Sequence, residues 1–89
     1  MTVRKRVRAG GRVQGVFFRD SVRRAAVARG VAGWAENRPD GTVEAVFEGE
    51  AEAVDALVRV VRDSPGSSRV ESVDVSDEPP EGLRGFQTR

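Results

Sequence analysis

The order of two periodicities along the chain constrains its fold more than any other feature. Segments in which apolar and polar residues alternate are typical of strands, and segments with three- and four-residue apolar spacing are typical of helices. The sequence predicts strands over residues 3–9, 31–37, 42–48 and 70–76, and helices over 18–29 and 50–63, with 86–89 as a further candidate for a short edge strand. The predicted order is therefore βαββαβ.

Each predicted helix carries a single apolar stripe. The stripes are formed by Phe18, Val22, Ala25 and Ala26 in the first helix, and by Val54, Leu57, Val58 and Val61 in the second. Two helices with one stripe each can bury those stripes by sharing one face of an antiparallel sheet, which leaves the other face partly exposed. We therefore predict an α+β fold, a ferredoxin-like βαββαβ sandwich formed by residues 1–89 as a single domain.

The absence of histidine and cysteine limits the possible chemistry. Without cysteine the chain has neither disulfides nor thiolate metal ligands, and without histidine it lacks the commonest general base and the commonest zinc ligand. We predict no metal site and no cofactor. The sequence has no apolar run of membrane-spanning length and no signal-peptide pattern, so we expect a cytoplasmic protein without a membrane partner. A monomer is the simplest expectation for so small and charged a chain.

The net charge of +1 conceals an uneven distribution. Residues 1–30 contain nine Lys or Arg and one acid, Asp20, whereas the remaining 59 residues contain six Arg and thirteen acids. A positive N-terminal third indicates contact with an anion. Arginine that merely solvates helix and strand surfaces explains the same distribution, so the charge pattern alone leaves both interpretations open.

The segment 11–19 joins the first strand to the first helix through a loop rich in glycine. The N–H groups of such a loop can converge on one point, and the first N–H groups of a helix have no partner within the helix. Arg19 falls in the first helical turn, where its guanidinium can reach the loop. The spacing matches neither the dinucleotide fingerprint nor the Walker pattern, so spacing alone does not decide between an anion site and a solvated loop.

The nonapeptide Gly-Arg-Val-Gln-Gly-Val-Phe-Phe-Arg at 11–19 resembles the signature of the acylphosphatase family. A second block, Gly-Trp-Ala-Glu-Asn at 33–37, also resembles that family, and Gly41, Val43 and Gly49 follow at the family's spacing. The resemblance extends over nearly the whole chain and implies the same ferredoxin-like fold. It further implies an enzyme that hydrolyses the carboxyl-phosphate bond of small acyl phosphates and releases inorganic phosphate, without a metal or cofactor.

The resemblance also implies roles for individual residues. Arg19 would bind the phosphate and Asn37 would orient the attacking water, as the two catalytic residues. The phosphate-binding loop would be formed by the backbone amides of Gln14, Gly15, Val16, Phe17, Phe18 and Arg19. Taken without the resemblance, an asparagine at this position is more often a residue that caps the following turn, and it is the resemblance that favours the catalytic role. We expect Trp34 to lie in the hydrophobic core.

Three other functions fit the same sequence pattern. RNA-recognition modules share the βαββαβ order, but they stack bases on aromatic residues of the sheet. Here aromatics make up only 6% of the chain, and we therefore expect no nucleic-acid partner. The predicted exposed face carries charged residues instead, namely Arg4, Arg6, Arg8, Glu44 and Glu48. The remaining alternatives are a non-catalytic phosphate or anion sensor and an acyl-phosphate-handling domain of a larger maturation enzyme.

Overall fold

A computed structural model describes residues 1–14, 16–63 and 69–89, with only the backbone described for Val16 and Phe17. The elements are β1 (Thr2–Arg12), α1 (Val16–Ala28), β2 (Ala32–Asn37), β3 (Val43–Glu50), α2 (Ala51–Arg62), β4 (Arg69–Glu78) and β5 (Phe86–Thr88). This order confirms the predicted βαββαβ plan and the additional edge strand. Neither of the two helices is long and apolar enough to cross a membrane.

The five strands form one sheet in the order β4-β1-β3-β2-β5. The first four strands pair antiparallel with their neighbours, as predicted. β5 pairs parallel with β2, from Gly33 opposite Phe86 to Ala35 opposite Thr88, so the complete sheet is mixed rather than purely antiparallel. The parallel pairing arises because the chain leaves β4 at one edge, crosses to the other edge through residues 79–85, and enters β5 in the direction of β2.

The hydrophobic core lies between the sheet and the two helices. Alternate residues of β1 and β3 point into it, and both helices contribute their predicted stripes. Phe47 of β3 and Phe86 of β5 stack with their ring centroids 5.9 Å apart, which fixes the short edge strand to the core. The core residues are Val7, Ala9, Val13, Phe18, Val22, Ala26, Val31, Ala35, Val43, Ala45, Phe47, Val54, Leu57, Val61 and Phe86.

The face of the sheet that points away from the helices, called the second face below, is more buried than the sequence predicts. Arg4, Glu44 and Glu48 were expected to be exposed, but they are only 4%, 8% and 4% exposed. The Glu48 carboxylate accepts hydrogen bonds from the backbone N–H groups of Glu81 (2.8 Å) and Leu83 (2.7 Å), both in the connection 79–85. Arg4 lies 3.5 Å from the same carboxylate. Alternation identifies the face on which a side chain lies, but a distant connection decides whether that face is covered.

The hydrogen bonds to Glu48 stabilise its charged form. Burial by itself raises the pKa of a carboxyl group, but the backbone N–H groups of residues 81–83 and the Arg4 guanidinium together outweigh that effect and hold the pKa of Glu48 below its usual value. A carboxyl whose pKa is lower in the folded state stabilises the fold at neutral pH. That stabilisation is lost as the pH falls from the unfolded pKa, about 4.3, through the folded pKa.

We expect Glu48→Ala to lower the free energy of unfolding by about 3–5 kcal/mol at pH 7, because it leaves two backbone donors without their acceptor and removes one of the carboxylates paired with buried Arg4, which keeps only its contacts with Glu78 and Glu81 among the described residues. Urea unfolding followed by circular dichroism measures this loss. The difference from the wild type should narrow below about pH 4, where the wild type itself loses the charge. The matched control is Glu50→Ala, since Glu50 is an exposed carboxylate that is paired with the exposed N-terminus. Equal losses in the two variants would contradict the proposed anchoring by Glu48.

β1 continues past its predicted end at Ala9 because Gly10 and Gly11 remain paired with β4 across a bulge. The register shifts between these glycines, and Glu71 is the additional residue on β4. Gly11 has φ +118°, and a Cβ at this position would collide with the Arg69 carbonyl oxygen and lie 2.9 Å from the Glu71 nitrogen. Only glycine therefore fits at this bulge, where β1 lies close to the backbone of β4.

We expect Gly11→Ala to lower the free energy of unfolding by about 3 kcal/mol or more, because it combines a strained backbone with a steric collision. The matched control is Gly30→Ala: Gly30 also has positive φ (+68°), but a Cβ there would meet no atom within 4 Å. The control should lose only the backbone contribution of about 1–2 kcal/mol. Urea unfolding of both variants compares the two losses. If the losses are the same, the bulge relaxes and the collision is not a constraint.

Candidate active site between α1 and the end of β2

Arg19 is held in the first turn of α1 with one donor left unpaired. Its neighbour Phe18 is only 2% exposed and fixes this turn to the core. The Arg19 Nη1 atom donates a hydrogen bond to the main-chain oxygen of Arg89 at 2.7 Å. Its Nε atom is buried and has no hydrogen-bond partner among the described residues. An unpaired buried guanidinium N–H is energetically costly, and a bound anion would satisfy it.

Asn37 is the last residue of β2, and its side-chain oxygen is unpaired. It pairs with Val43 across the β2–β3 ladder, and its Oδ1 atom is buried without a partner among the described residues. The following turn is capped by Asp40, whose Oδ1 accepts hydrogen bonds from the Thr42 N–H (3.0 Å) and hydroxyl (2.6 Å). The hydroxyl bond is the main reason that the pKa of Asp40 is lowered. Turn capping, the alternative interpretation of Asn37, therefore belongs to a different residue.

The unpaired atoms of Arg19 and Asn37 are unusual in the described part of the chain. Only three buried side-chain nitrogen or oxygen atoms there lack a hydrogen-bond partner. The third is Nη1 of Arg4, which lies in an ion pair 3.5 Å from Glu48. The other two atoms lie on Arg19 and Asn37, the residues that the family resemblance predicts to be catalytic. Unsatisfied buried groups of this kind require an explanation, and a ligand site provides one.

Arg89 connects α1 to β2 across the sheet edge. Its N–H donates to the Ala35 carbonyl at 2.8 Å, and its main-chain oxygen accepts from Arg19. Ala35 is buried on the helix-facing side of β2, and Asn37 lies two residues further along, on the same side. The end of β2 and the start of α1 are thereby held together, so that both unpaired atoms belong to one region.

Gln14 makes a contact that the sequence analysis did not predict. Its side-chain Nε2 donates to the carbonyl oxygens of Arg38 (2.5 Å) and Thr42 (3.1 Å), which flank the turn after Asn37. The sequence assigned only the backbone of Gln14 to the phosphate loop. An exposed glutamine between a buried valine and a glycine gives no pattern that would identify a distant backbone as its partner.

The predicted phosphate cradle is described in part. Val16, Phe17, Phe18 and Arg19 form the first turn of α1, where the backbone N–H groups have no partners within the helix. That turn contains no acidic residue, so no carboxylate within it neutralises the positive end of the helix dipole. Gly15 lies outside the described residues. The use of these amides to bind phosphate therefore stays a prediction.

Trp34 is not in the hydrophobic core, contrary to our expectation. It is half-buried on the second face of the sheet, with the guanidinium carbon of Arg89 4.4 Å and that of Arg6 5.5 Å from its ring centroid. Cation–π contacts with two arginines stabilise it there. Among the aromatic side chains that are described, the three phenylalanines 18, 47 and 86 are buried in the core. On the second face the Trp34 ring is thus packed against two arginine side chains.

The second face has a cavity, but Arg6, one of the arginines that line it, is already paired with acidic residues. A depression of about 270 Å³ is lined by Arg6, Arg8, Glu44, Asp74, Val75 and Ser76. Arg6 is paired with Glu44 at 3.3 Å and with Glu78 at 2.6 Å, so its charge is already compensated. The bond with Glu78 is also the main reason that the pKa of Arg6 is raised. Within the described ranges, no three His, Cys, Asp or Glu residues are grouped so that they could hold a metal ion.

Comparisons with known proteins point to one family. The sequence model of the Acylphosphatase family matches residues 5–88. The chain is 60% identical to an acylphosphatase of Rubrobacter xylanophilus, over 99% of this chain and 81% of that one. It is 52% identical to an acylphosphatase of Gloeobacter violaceus, over 96% and 91% of the respective chains. The crystal structure of acylphosphatase from Bacillus subtilis superposes with a TM-score of 0.93 at 37% identity, covering 100% of this chain and 99% of that chain.

The family match covers most of the chain, and the relatives match over most of their own length. The folds agree over the full chain as well. The chain belongs to the acylphosphatase family.

Proposed function

We propose that the protein hydrolyses acyl phosphates to a carboxylate and inorganic phosphate, through direct attack of a water molecule that Asn37 positions on a phosphoryl group bound by Arg19. Membership of the acylphosphatase family supports the reaction. The pair of unpaired buried atoms, Nε of Arg19 and Oδ1 of Asn37, is the observation that supports these residue roles. One atom is a donor suited to an anion, and the other is an acceptor suited to water.

Arg19 is suited to hold the phosphoryl group. Its Nη1 is fixed by the main-chain oxygen of Arg89, so the guanidinium plane is oriented before the substrate binds. Nε is then available for a charge-assisted hydrogen bond to a phosphoryl oxygen. The N–H groups at the start of α1 would contact the other oxygens, aided by the helix dipole. Such fixed donors stabilise charge in the transition state without reorganising during the reaction.

Asn37 is suited to place the nucleophile. Its unpaired Oδ1 can accept a hydrogen bond from a water molecule and hold it in line with the bond to be broken. The water oxygen attacks phosphorus, and the bond between phosphorus and the acyl oxygen breaks with its electron pair leaving on the carboxylate. The protons of the water end on phosphate and in the solvent. No covalent phosphoenzyme is required.

The leaving group explains why so few residues suffice. A carboxylate has a conjugate acid with a pKa of about 4, so it leaves at neutral pH without protonation by a general acid. Phosphoryl transfer passes through a loose transition state in which charge spreads over the equatorial oxygens, and catalysis then depends mainly on positioning and electrostatics. A chain without histidine and cysteine can supply both. Metal independence, a monomeric state and a cytoplasmic location stay predictions of the sequence.

We expect Arg19→Ala to reduce kcat/KM for benzoyl phosphate by about 10³-fold, because the guanidinium contacts the charged group in both the ground and the transition state. Arg19→Lys should recover little of this loss, since a single ammonium cannot reproduce the planar fork. Ultraviolet absorbance follows the hydrolysis, and competition by inorganic phosphate reports the affinity of the site. Arg23→Ala is the control, since Arg23 is an exposed arginine one turn further along α1. A fully active Arg19→Lys variant would contradict a role that depends on the guanidinium group.

We expect Asn37→Ala to lower kcat about 10²- to 10³-fold while leaving inhibition by inorganic phosphate nearly unchanged, because the water is placed without holding the anion. The control is Glu36→Ala, which removes the adjacent side chain on the opposite face of β2. Both assays contain EDTA, and loss of wild-type activity on EDTA addition would contradict the metal-free mechanism. Phosphate binding by a folded wild type without any turnover would instead support the anion-sensor function.

A further inference from the structure

The side-chain amide of Gln14 cross-links two segments that are distant in sequence. Its Nε2 atom donates to Arg38 and Thr42, which are 24 and 28 residues away. The two acceptors are also joined to each other through the turn, since the Arg38 N–H donates to the Thr42 carbonyl at 2.8 Å. The Gly41 N–H donates to the Arg38 carbonyl at 3.1 Å. Gln14 is therefore bonded to a turn that is already closed by its own backbone.

This contact requires a side chain with two donor hydrogens. The NH₂ group of glutamine has two donor hydrogens, and the two carbonyl oxygens use both of them. The residue is nevertheless exposed, so the contact is not explained by burial. An exposed glutamine ordinarily keeps its side-chain freedom in water, and fixing it on two carbonyl oxygens costs conformational entropy. The contact must serve to fix the relative positions of the two segments.

Those two segments carry the two halves of the proposed site. Gln14 is the first residue of the predicted phosphate loop, and Arg38 directly follows Asn37. We propose that Gln14 is a positioning residue whose side-chain amide holds the turn 38–42, and with it the Asn37 oxygen, in a fixed position relative to the bound phosphoryl group. This inference rests on the proposed function. It assigns to the side chain a role distinct from the predicted use of its backbone N–H.

The consequence for catalysis is a selective effect on turnover. Without the amide, the phosphate ligands on α1 stay in place, since Arg19 is held independently through Arg89. The turn loses its link to the loop, so the water on Asn37 is less well aligned with the bond to be broken. Displacement of a reacting group by about 1 Å can lower a rate 10²-fold. Loss of Gln14 should therefore lower kcat and spare the affinity for inorganic phosphate.

The first test compares Gln14→Met with Gln87→Met in benzoyl phosphate hydrolysis. Methionine keeps the length of glutamine but lacks the donor, and Gln87 is the only other glutamine in the chain and is exposed on β5. We expect Gln14→Met to lower kcat at least about 10-fold, with the inhibition constant of inorganic phosphate within about twofold of the wild type. Gln87→Met should match the wild type. An unchanged kcat, or a loss of phosphate affinity equal to the loss of kcat, would overturn the proposal.

A double-mutant cycle separates positioning from a general structural effect. If Gln14 acts through Asn37, then adding Gln14→Met to Asn37→Ala should lower kcat by less than about twofold further. If Gln14→Met lowers kcat by the same factor in the wild type and in the Asn37→Ala variant, the proposal is overturned. Gln14→Lys, which keeps a donor of similar reach, should retain more activity than Gln14→Met, and it provides the test if the methionine variant does not fold. Failure of the proposed function is distinguishable, because the wild type itself would then not hydrolyse benzoyl phosphate.

Discussion

The buried carboxylate of Glu48 is the interaction on which the arrangement of the site depends. By accepting two backbone hydrogen bonds from the connection 79–85, it fixes the path by which the chain crosses from β4 to the opposite edge of the sheet. That path delivers β5 to β2, and the residue after β5, Arg89, reaches both the Ala35 carbonyl and the Arg19 guanidinium. A charged group on the second face thus helps to orient Arg19, the residue proposed to bind phosphate, on the face that the helices cover.

The proposed catalytic groups share a physical property: they are polar, buried and incompletely paired. Such groups lower the stability of the folded protein, and the rest of the structure must hold them in place. Phe18 anchors the turn that carries Arg19, and the β2–β3 ladder holds Asn37. The site is therefore organised before substrate binds, which is the condition under which fixed donors and acceptors accelerate phosphoryl transfer.

The elements of the fold could be predicted because they follow local patterns. Alternation in β1 and β3 and the stripes of both helices identified the core-facing residues correctly. The burial of Arg4 and Glu48 was not predictable in this way, since it is caused by a connection more than thirty residues from Glu48. The parallel pairing of β5 depends on that same connection. The roles of Arg19 and Asn37 came from family resemblance, whereas the Gln14 side-chain contact joins a loop to a turn and has no periodic signal.

The strand order also has a consequence for how the protein folds. β1 pairs with β3 and β4, and not with β2, the next strand in sequence, so both pairings of β1 form only by closing long loops of chain. Closing such loops costs entropy before any contact compensates for it, and topologies of this kind fold more slowly than helical bundles. Gln14, Arg19, Asn37 and Arg89 come from both ends and the middle of the sequence. Recovery of activity after refolding therefore reports that the whole sheet has formed, and not only its individual helices and hairpin.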